Sequence, residues 1–255
     1  MRKKGILNRL VQEIPEGLPV TGKWLNKQID CSRQLIQIYL RNGWLHSPAR
    51  GVYVRKLSAL TWQGCILSLQ SVCGLRCHVG GKTSLGLQGS IQYLQLGTKG
   101  QVSVWSNQNL PLWLKKLYSL AEFQIHRRKL FSGENTGFVE LPVSGFQQTM
   151  RCSGRERAFL ELLSEVEDES SFKHAYELLE GLTSLRPQLL EQLLEECGNI
   201  KVKRLFLFMA ERSGHQWFKK LQPDRLELGT GKRMVVRGGR LNTKYGVTVP
   251  EEFNV

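Results

Sequence analysis

Helical and strand-like stretches follow one another along these 255 residues without a regular strand–helix–strand alternation, which predicts an α+β chain. Two further observations give that prediction its shape. Residues 21–55 read as helix, turn, helix and tight hairpin, and the texture changes near Ser153 to amphipathic helices followed by a last basic hairpin. The expected division is one domain over residues 1–56 and a second over 57–255, the second mixed over 57–150 and helical, with a terminal hairpin, over 151–255.

Taken in order, residues 4–14 place Ile6, Leu7, Leu10, Val11 and Ile14 at helical spacing, and Pro15, Gly17 and Pro19 end that helix. Thr21 can cap a second helix through Gln28, with Trp24, Leu25 and Ile29 inward. Asp30-Cys31-Ser32 forms the turn, Ser32 or Asp30 caps a third helix over 33–42, and Gly43 stops it. In that third helix Leu35, Ile36, Ile38 and Tyr39 are expected to face inward. Arg33, Gln34, Gln37 and Arg41 then share the opposite, acid-free face. Residues 44–46 and 52–54 make two short strands around Ser47-Pro48-Ala49-Arg50-Gly51, with Arg50 at the tip and Trp44 and Tyr53 in the core at the hairpin's base. This succession is that of a winged helix-turn-helix. Arg and Gln are the side chains that pair bidentately with guanine and adenine edges in the major groove, so the polar face of the third helix is the candidate DNA-reading surface.

Behind it, residues 59–72 read as a largely apolar helix. Strands are expected at 77–79, 92–96, 101–105, 122–127 and 138–143, with a Gly80-Gly81 turn and a small helix over 82–88. Residues 101–105 alternate like a half-buried strand. Ser153 with Glu156 three residues on reads as a capping box opening a helix through Glu165. An acidic loop over 165–169 follows, then helices over 171–182, 187–197 and 199–212, the second begun by Pro187. The last basic hairpin has its turn at Gly238-Gly239.

The formal charge is +14, and its distribution carries more than its size. Residues 1–56 hold 11 Lys/Arg against 3 acids, 57–150 hold 8 against 3, and 151–255 hold 17 against 16. The excess sits at the front, where it would meet phosphates. The six cysteines are scattered among apolar neighbours, which points to a reducing cytoplasm rather than a disulfide framework. No apolar run approaches the length of a membrane span, and the basic start lacks the apolar region of a signal peptide. The expected localisation is cytoplasmic, with no membrane partner.

The chemistry of an enzyme is missing from the pattern. Gly229-Thr230-Gly231-Lys232-Arg233 resembles a phosphate loop, but Leu226 stands where its first glycine belongs and Arg233 where its Ser or Thr belongs. Cys73, Cys77 and His78 have no second pair at zinc-site spacing, so no metal is expected. The five histidines sit in no catalytic motif, and Asp occurs only at 30, 168 and 224, too few to build a two-metal site. The expectation is a non-enzyme with no cofactor.

The order of RNGWL (41–45), GVYVR (51–55), HVGGKTSLGLQG (78–89), LPLW (110–113), SGRERAFLELL (153–163), EGLTSLRPQLLEQLLEEC (180–197), IKVKRLFLFMAE (200–211) and LGTGKRMVVRGGRLNTKYGVTVP (228–250) resembles the AbiE-type antitoxins of type IV toxin–antitoxin and abortive-infection systems. The resemblance implies an N-terminal winged helix that binds inverted repeats in the protein's own promoter and represses the operon. It also implies a C-terminal domain that counteracts a cognate nucleotidyltransferase toxin without a stable complex, in a phage-defence role. By position, the DNA face it implies is Ser32, Arg33, Gln34, Gln37 and Arg41, with Arg50 on the wing. For the antitoxin surface the basic residues inside the resembling blocks are candidates: Lys201, Lys203, Arg204, Lys232, Arg233, Arg237 and Arg240. The alternative is a ligand- or partner-responsive regulator with no antitoxin role.

Overall fold

The computed structural model describes residue 10 and residues 12–56, 58–90 and 100–253, and the chain divides into two compact units. The first comprises residues 1–79, 95–127 and 140–151; the second comprises 80–94, 128–139 and 152–255. A boundary after residue 56 lies inside the first unit. Of the helix expected over 4–14, only its end is described: residues 10, 12 and 13 are helical, and Leu10 and Ile14 are buried. The strand expected at 92–96 lies outside the described residues.

In the first unit, a two-residue strand Val20–Thr21 (β1) leads into helix Gly22–Ile29 (α1), capped by the Thr21 hydroxyl, which accepts from Trp24 N at 3.2 Å. Asp30 ends α1 in the left-handed region at φ +54°, a conformation that Asp tolerates better than most residues. Ser32 Oγ then accepts from Leu35 N at 3.3 Å and caps helix Arg33–Arg41 (α2). Strands Leu45–Ala49 (β2) and Val52–Arg55 (β3) make the hairpin. β1, invisible in the sequence pattern because it is so short, adds to β3 to give the order β1-β3-β2, all antiparallel. Leu25, Ile29, Cys31, Ile36, Tyr39 and Leu45 bury their side chains together with Val20, Leu10 and Ile14. At about 1.5–3 kcal/mol for each fully buried aliphatic side chain, this cluster fixes the angle between α1 and α2.

The helix expected over 59–72 starts later, at Trp62–Leu67 (α3), because Thr61 caps it, and it widens into a π-helical turn at Ser68–Val72. From that turn the Ser68 hydroxyl donates to the Pro19 carbonyl. The Gln70 amide donates to the Cys77 and Arg151 carbonyls and accepts from Arg151 N, each at 3.1 Å. Five strands follow in the order β6-β5-β4-β8-β7: Cys77–Val79 (β4), Gln101–Ser106 (β5), Glu122–His126 (β6), Phe138–Pro142 (β7) and Thr149–Ser153 (β8). β5 runs antiparallel to β4 and parallel to β6. Residues 102–106 are all buried, so β5 is covered on both faces and not half-exposed as its alternation suggests.

The second unit is organised around helix Arg155–Leu163 (α6 below), in which residues 156–163 are all buried. The helices in chain order are Gly81–Leu87 (α4), then Leu112–Lys116 (α5) of the first unit, α6, Glu169–Gly181 (α7), Pro187–Glu196 (α8) and Ile200–Ser213 (α9). α6 packs against α4, α7, α8 and α9. Gly80-Gly81 is not a free turn: Gly80 caps α4 and Gly81 is its first residue. Ser153 is not the cap of α6 either. Gly154 holds that place, and the capping box forms at Asp168 and Ser171 instead, where Asp168 Oδ1 accepts from Ser171 N at 2.8 Å. The terminal sheet has Arg233–Met234 (β9), Arg240–Asn242 (β10) and Val247–Val249 (β11) in the order β10-β11-β9. Its hairpin is β10–β11, and β9 pairs parallel to β11, so Gly238-Gly239 connects strands that are not partners.

A candidate nucleic-acid interface

α2 presents the face the sequence outlines. Ser32, Arg33, Gln34, Gln37 and Arg41 are all exposed, while Ile36 and Tyr39 are buried and Leu35 and Leu40 pack partly against the same core. At 3.6 residues per turn, Arg33, Gln37, Arg41 and Gln34 fall on a continuous arc, and the inward set occupies the opposite one. No acidic side chain lies on α2, whose last turn carries Arg41. Two residues depart from expectation. Ile38 points outward, 41% exposed, since the arc facing Leu25 and Ile29 is filled by Leu35, Ile36, Tyr39 and Leu40. Trp44 is 45% exposed and not part of the hairpin's core; Tyr53 does pack there.

The turn between β2 and β3 is held by a side chain of its own. Ser47 Oγ lies 2.9 Å from both the Ala49 and the Val52 carbonyl, and Gly51 takes φ +79°, which the turn requires. Arg50 stands exposed between them. At the other end Lys56 N donates to the Trp44 carbonyl at 3.2 Å, and the Lys56 chain lies over Gly43, where a Cβ would meet its Nζ at 2.9 Å.

The seven candidate basic residues, all in the second unit, fall into buried, half-buried and exposed groups. Lys203 and Arg204 are buried. Lys203 Nζ donates to the Glu227 carbonyl at 3.4 Å; Arg204 donates to the carbonyls of Leu228 (2.7 Å), Gly229 (2.8 Å), Gly231 (2.5 Å) and Gly246 (3.3 Å). They belong to the interior and not to a basic surface. Lys201 is half-buried, donating to the Val166 carbonyl at 2.7 Å, and burial lowers its pKa. Arg233 is half-buried, while Lys232, Arg237 and Arg240 are exposed. Arg240 lies 4.0 Å from Glu251, and Arg237 lines a polar groove with Glu169, Glu251 and Glu252.

Two ionic nodes that the sequence does not reveal bind the resembling blocks together. Glu161, fully buried, accepts from Arg157 Nε (3.0 Å), Ser153 Oγ (2.7 Å) and Gly81 N (3.1 Å). Arg157 also donates to the Thr136 carbonyl at 2.9 Å, and its guanidinium lies over Phe131 and Phe138 at 4.3 and 4.2 Å. Glu156 receives Arg186 in a bidentate pair, Nε and Nη2 each at 2.9 Å, plus Arg186 N at 2.9 Å. Burial works to raise Glu156, but the Arg186 hydrogen bonds and charge outweigh it and hold the carboxyl low. The Ser153 hydroxyl and the Glu161 carboxylate of the first node are both fully buried. All six cysteines are free; burial pushes the Cys65 and Cys77 thiols up to about 12, so both stay protonated at neutral pH. Among the described residues no cluster of His, Cys, Asp or Glu is placed to hold a metal ion, and no helix is long and apolar enough to cross a membrane.

The geometry defines an α+β chain that runs helix, turn, helix and hairpin near its front, with an acid-free Arg/Gln face on the second helix of that pair. Comparison with known families makes the assignment specific. The family described as "Transcriptional regulator, AbiEi antitoxin, Type IV TA system" matches residues 99–250, and the corresponding AbiEi antitoxin N-terminal domain matches residues 3–96. The chain belongs to this family of type IV antitoxin transcriptional regulators. Among solved structures, the crystal structure of the RV2827C protein from Mycobacterium tuberculosis is similar in fold, with a TM-score of 0.61 and 12% identity over 97% of this chain and 90% of that one. Among curated proteins none matches.

Proposed function

We propose that this chain represses its own operon by placing α2 in the major groove of inverted repeats in the promoter, while its second unit counteracts a cognate nucleotidyltransferase toxin without a stable complex. The observation that carries the DNA half is the exposed, acid-free arc of Arg33, Gln34, Gln37 and Arg41, begun by Ser32 and flanked by Arg50 on a wing stiffened by Ser47. Arg and Gln on one helical face can pair with guanine and adenine edges, and Arg50 can reach the backbone or minor groove. Family membership supports the antitoxin half. For its surface the proposal takes exposed Lys232, Arg237 and Arg240, with half-buried Lys201 and Arg233, since Lys203 and Arg204 are buried.

The test separates the two halves in one full-length variant. Arg33→Ala/Gln37→Ala is expected to lose specific retardation of the upstream promoter and to derepress a promoter reporter, yet still to rescue growth when the toxin is co-expressed. Promoter binding equal to wild type refutes the assignment of α2; loss of rescue with intact folding refutes the separation of roles. A chain that binds the promoter but never relieves toxicity is a regulator alone.

A further inference from the structure

One side chain on the α2 surface is not explained by polar pairing. Ile38 is 41% exposed and continues the arc of Arg33, Gln37, Arg41 and Gln34, one turn from Gln34 and less than a turn from Arg41. It is not surplus core, because Leu35, Ile36, Tyr39 and Leu40 already occupy the opposite arc against Leu25 and Ile29. Helix propensity gives no reason for it either, since a β-branched residue is a poorer choice for an exposed helical position than Lys, Gln or Glu. What the polar neighbours cannot do is read the one apolar group of the major groove, the C5 methyl of thymine.

Resting on the reading of α2 as the helix that enters the major groove, we propose that Ile38 packs against a thymine methyl and makes one operator position thymine-selective. Gln34 and Arg41 beside it supply polar pairing to neighbouring base edges. The contact is dispersive and dehydrating, so its signature is loss on removing the methyl from either partner, without a second loss when both are removed.

The probe is the duplex immediately upstream of the reading frame, amplified either with dTTP or with dUTP, so that the sequence is identical and only the methyls differ. Wild type and Ile38→Ala are titrated against both by fluorescence anisotropy. Burial of about one methyl predicts a change in Kd of roughly four-fold, equivalent to about 0.8 kcal/mol at 1.4 kcal/mol per decade. Wild type is expected to bind the uracil duplex about four-fold more weakly. Ile38→Ala is expected to bind the thymine duplex about four-fold more weakly and to show no further loss on uracil. Ile38→Val, which keeps a branched methyl, falls between. Because Ile38 is not in the core, an unchanged melting curve for each variant confirms the comparison is between folded proteins. A uracil penalty of equal size in wild type and Ile38→Ala overturns the proposal, as does an Ile38→Ala variant that binds thymine DNA like wild type. A change in sedimentation of free Ile38→Ala also overturns it and assigns the side chain to self-association. If wild type does not prefer the promoter to unrelated DNA of the same length, the reading of α2 itself fails, and this inference falls with it.

Discussion

Removal of the Glu161 carboxylate tests whether α6 is the centre of the second unit. In Glu161→Ala, the Ser153 hydroxyl, Gly81 N–H and Arg157 guanidinium lose an acceptor at 2.7, 3.1 and 3.0 Å. The Arg157 side chain is only 9% exposed and cannot recover its solvation. Deleting one partner of a buried pair costs about 3–5 kcal/mol, because the cost is that of the charge left behind. For a chain of this length each kcal/mol moves the melting midpoint by about 2–4 °C, so the midpoint should fall by roughly 6–20 °C in a circular-dichroism melt. Replacing both partners, as Arg157→Met/Glu161→Leu, removes the stranded charge and leaves an apolar chain between Phe131 and Phe138. That double variant should lose less than Glu161→Ala alone. A Glu161→Ala midpoint within about 2 °C of wild type, or a double-variant loss equal to the sum of the two single losses, refutes the argument.

Other perturbations have equally direct readouts. Arg50→Ala should make the slope of log K against log salt for promoter binding shallower by about 0.9, with discrimination between DNA sequences largely retained, since one phosphate contact displaces one counterion. Gly64→Ala should destabilise by roughly 1–3 kcal/mol in urea denaturation, although the same change in an open helix stabilises. The added Cβ would stand 2.5 Å from the Gly17 carbonyl oxygen, a backbone atom that cannot rotate away. Burial pushes the Glu165 carboxyl from its ordinary 4.5 up to about 7, with Glu161 adding to the rise and Arg128 opposing it. The fold therefore holds that proton more tightly than the unfolded chain does. Its contribution to stability is full below about pH 4.5 and declines until about pH 7, and Glu165→Gln should flatten that part of the stability–pH profile. A profile unchanged by the substitution would place the titration elsewhere.

What could be read from the sequence was whatever depends on local periodicity. The α2 face followed from 3.6-residue spacing, and α1, β4, α8 and α9 lie within a residue or two of their expected ends. The failures share a cause. Ser153 and Glu156 have the spacing of a capping box, but Glu161 accepts from the first and Arg186 occupies the second, so tertiary partners outcompete the local ones. β8, whose five residues alternate polar and apolar too briefly to stand out, lies between β4 and β7 in the sheet. The parallel pairing of β9 with β11 is a choice of partner that no local pattern records. In the candidate site, Ile38 turns outward against its hydrophobicity because four apolar neighbours already fill the inward arc, a volume limit that hydrophobicity alone does not express. Lys203 and Arg204 look like surface cations until the chain some 25 residues later folds over them.

That fold-over gives the glycine-rich segment Leu228–Gly231 a definite electrostatic polarity. Its likeness to a phosphate loop extends to composition and stops at the backbone: the carbonyls of Leu228, Gly229 and Gly231 converge on the Arg204 guanidinium. A phosphate loop gathers donors around an anion; this one gathers acceptors around a cation that the protein itself supplies. It is a receptor whose ligand is already in place, and the glycines serve to let oxygen, not nitrogen, turn inward.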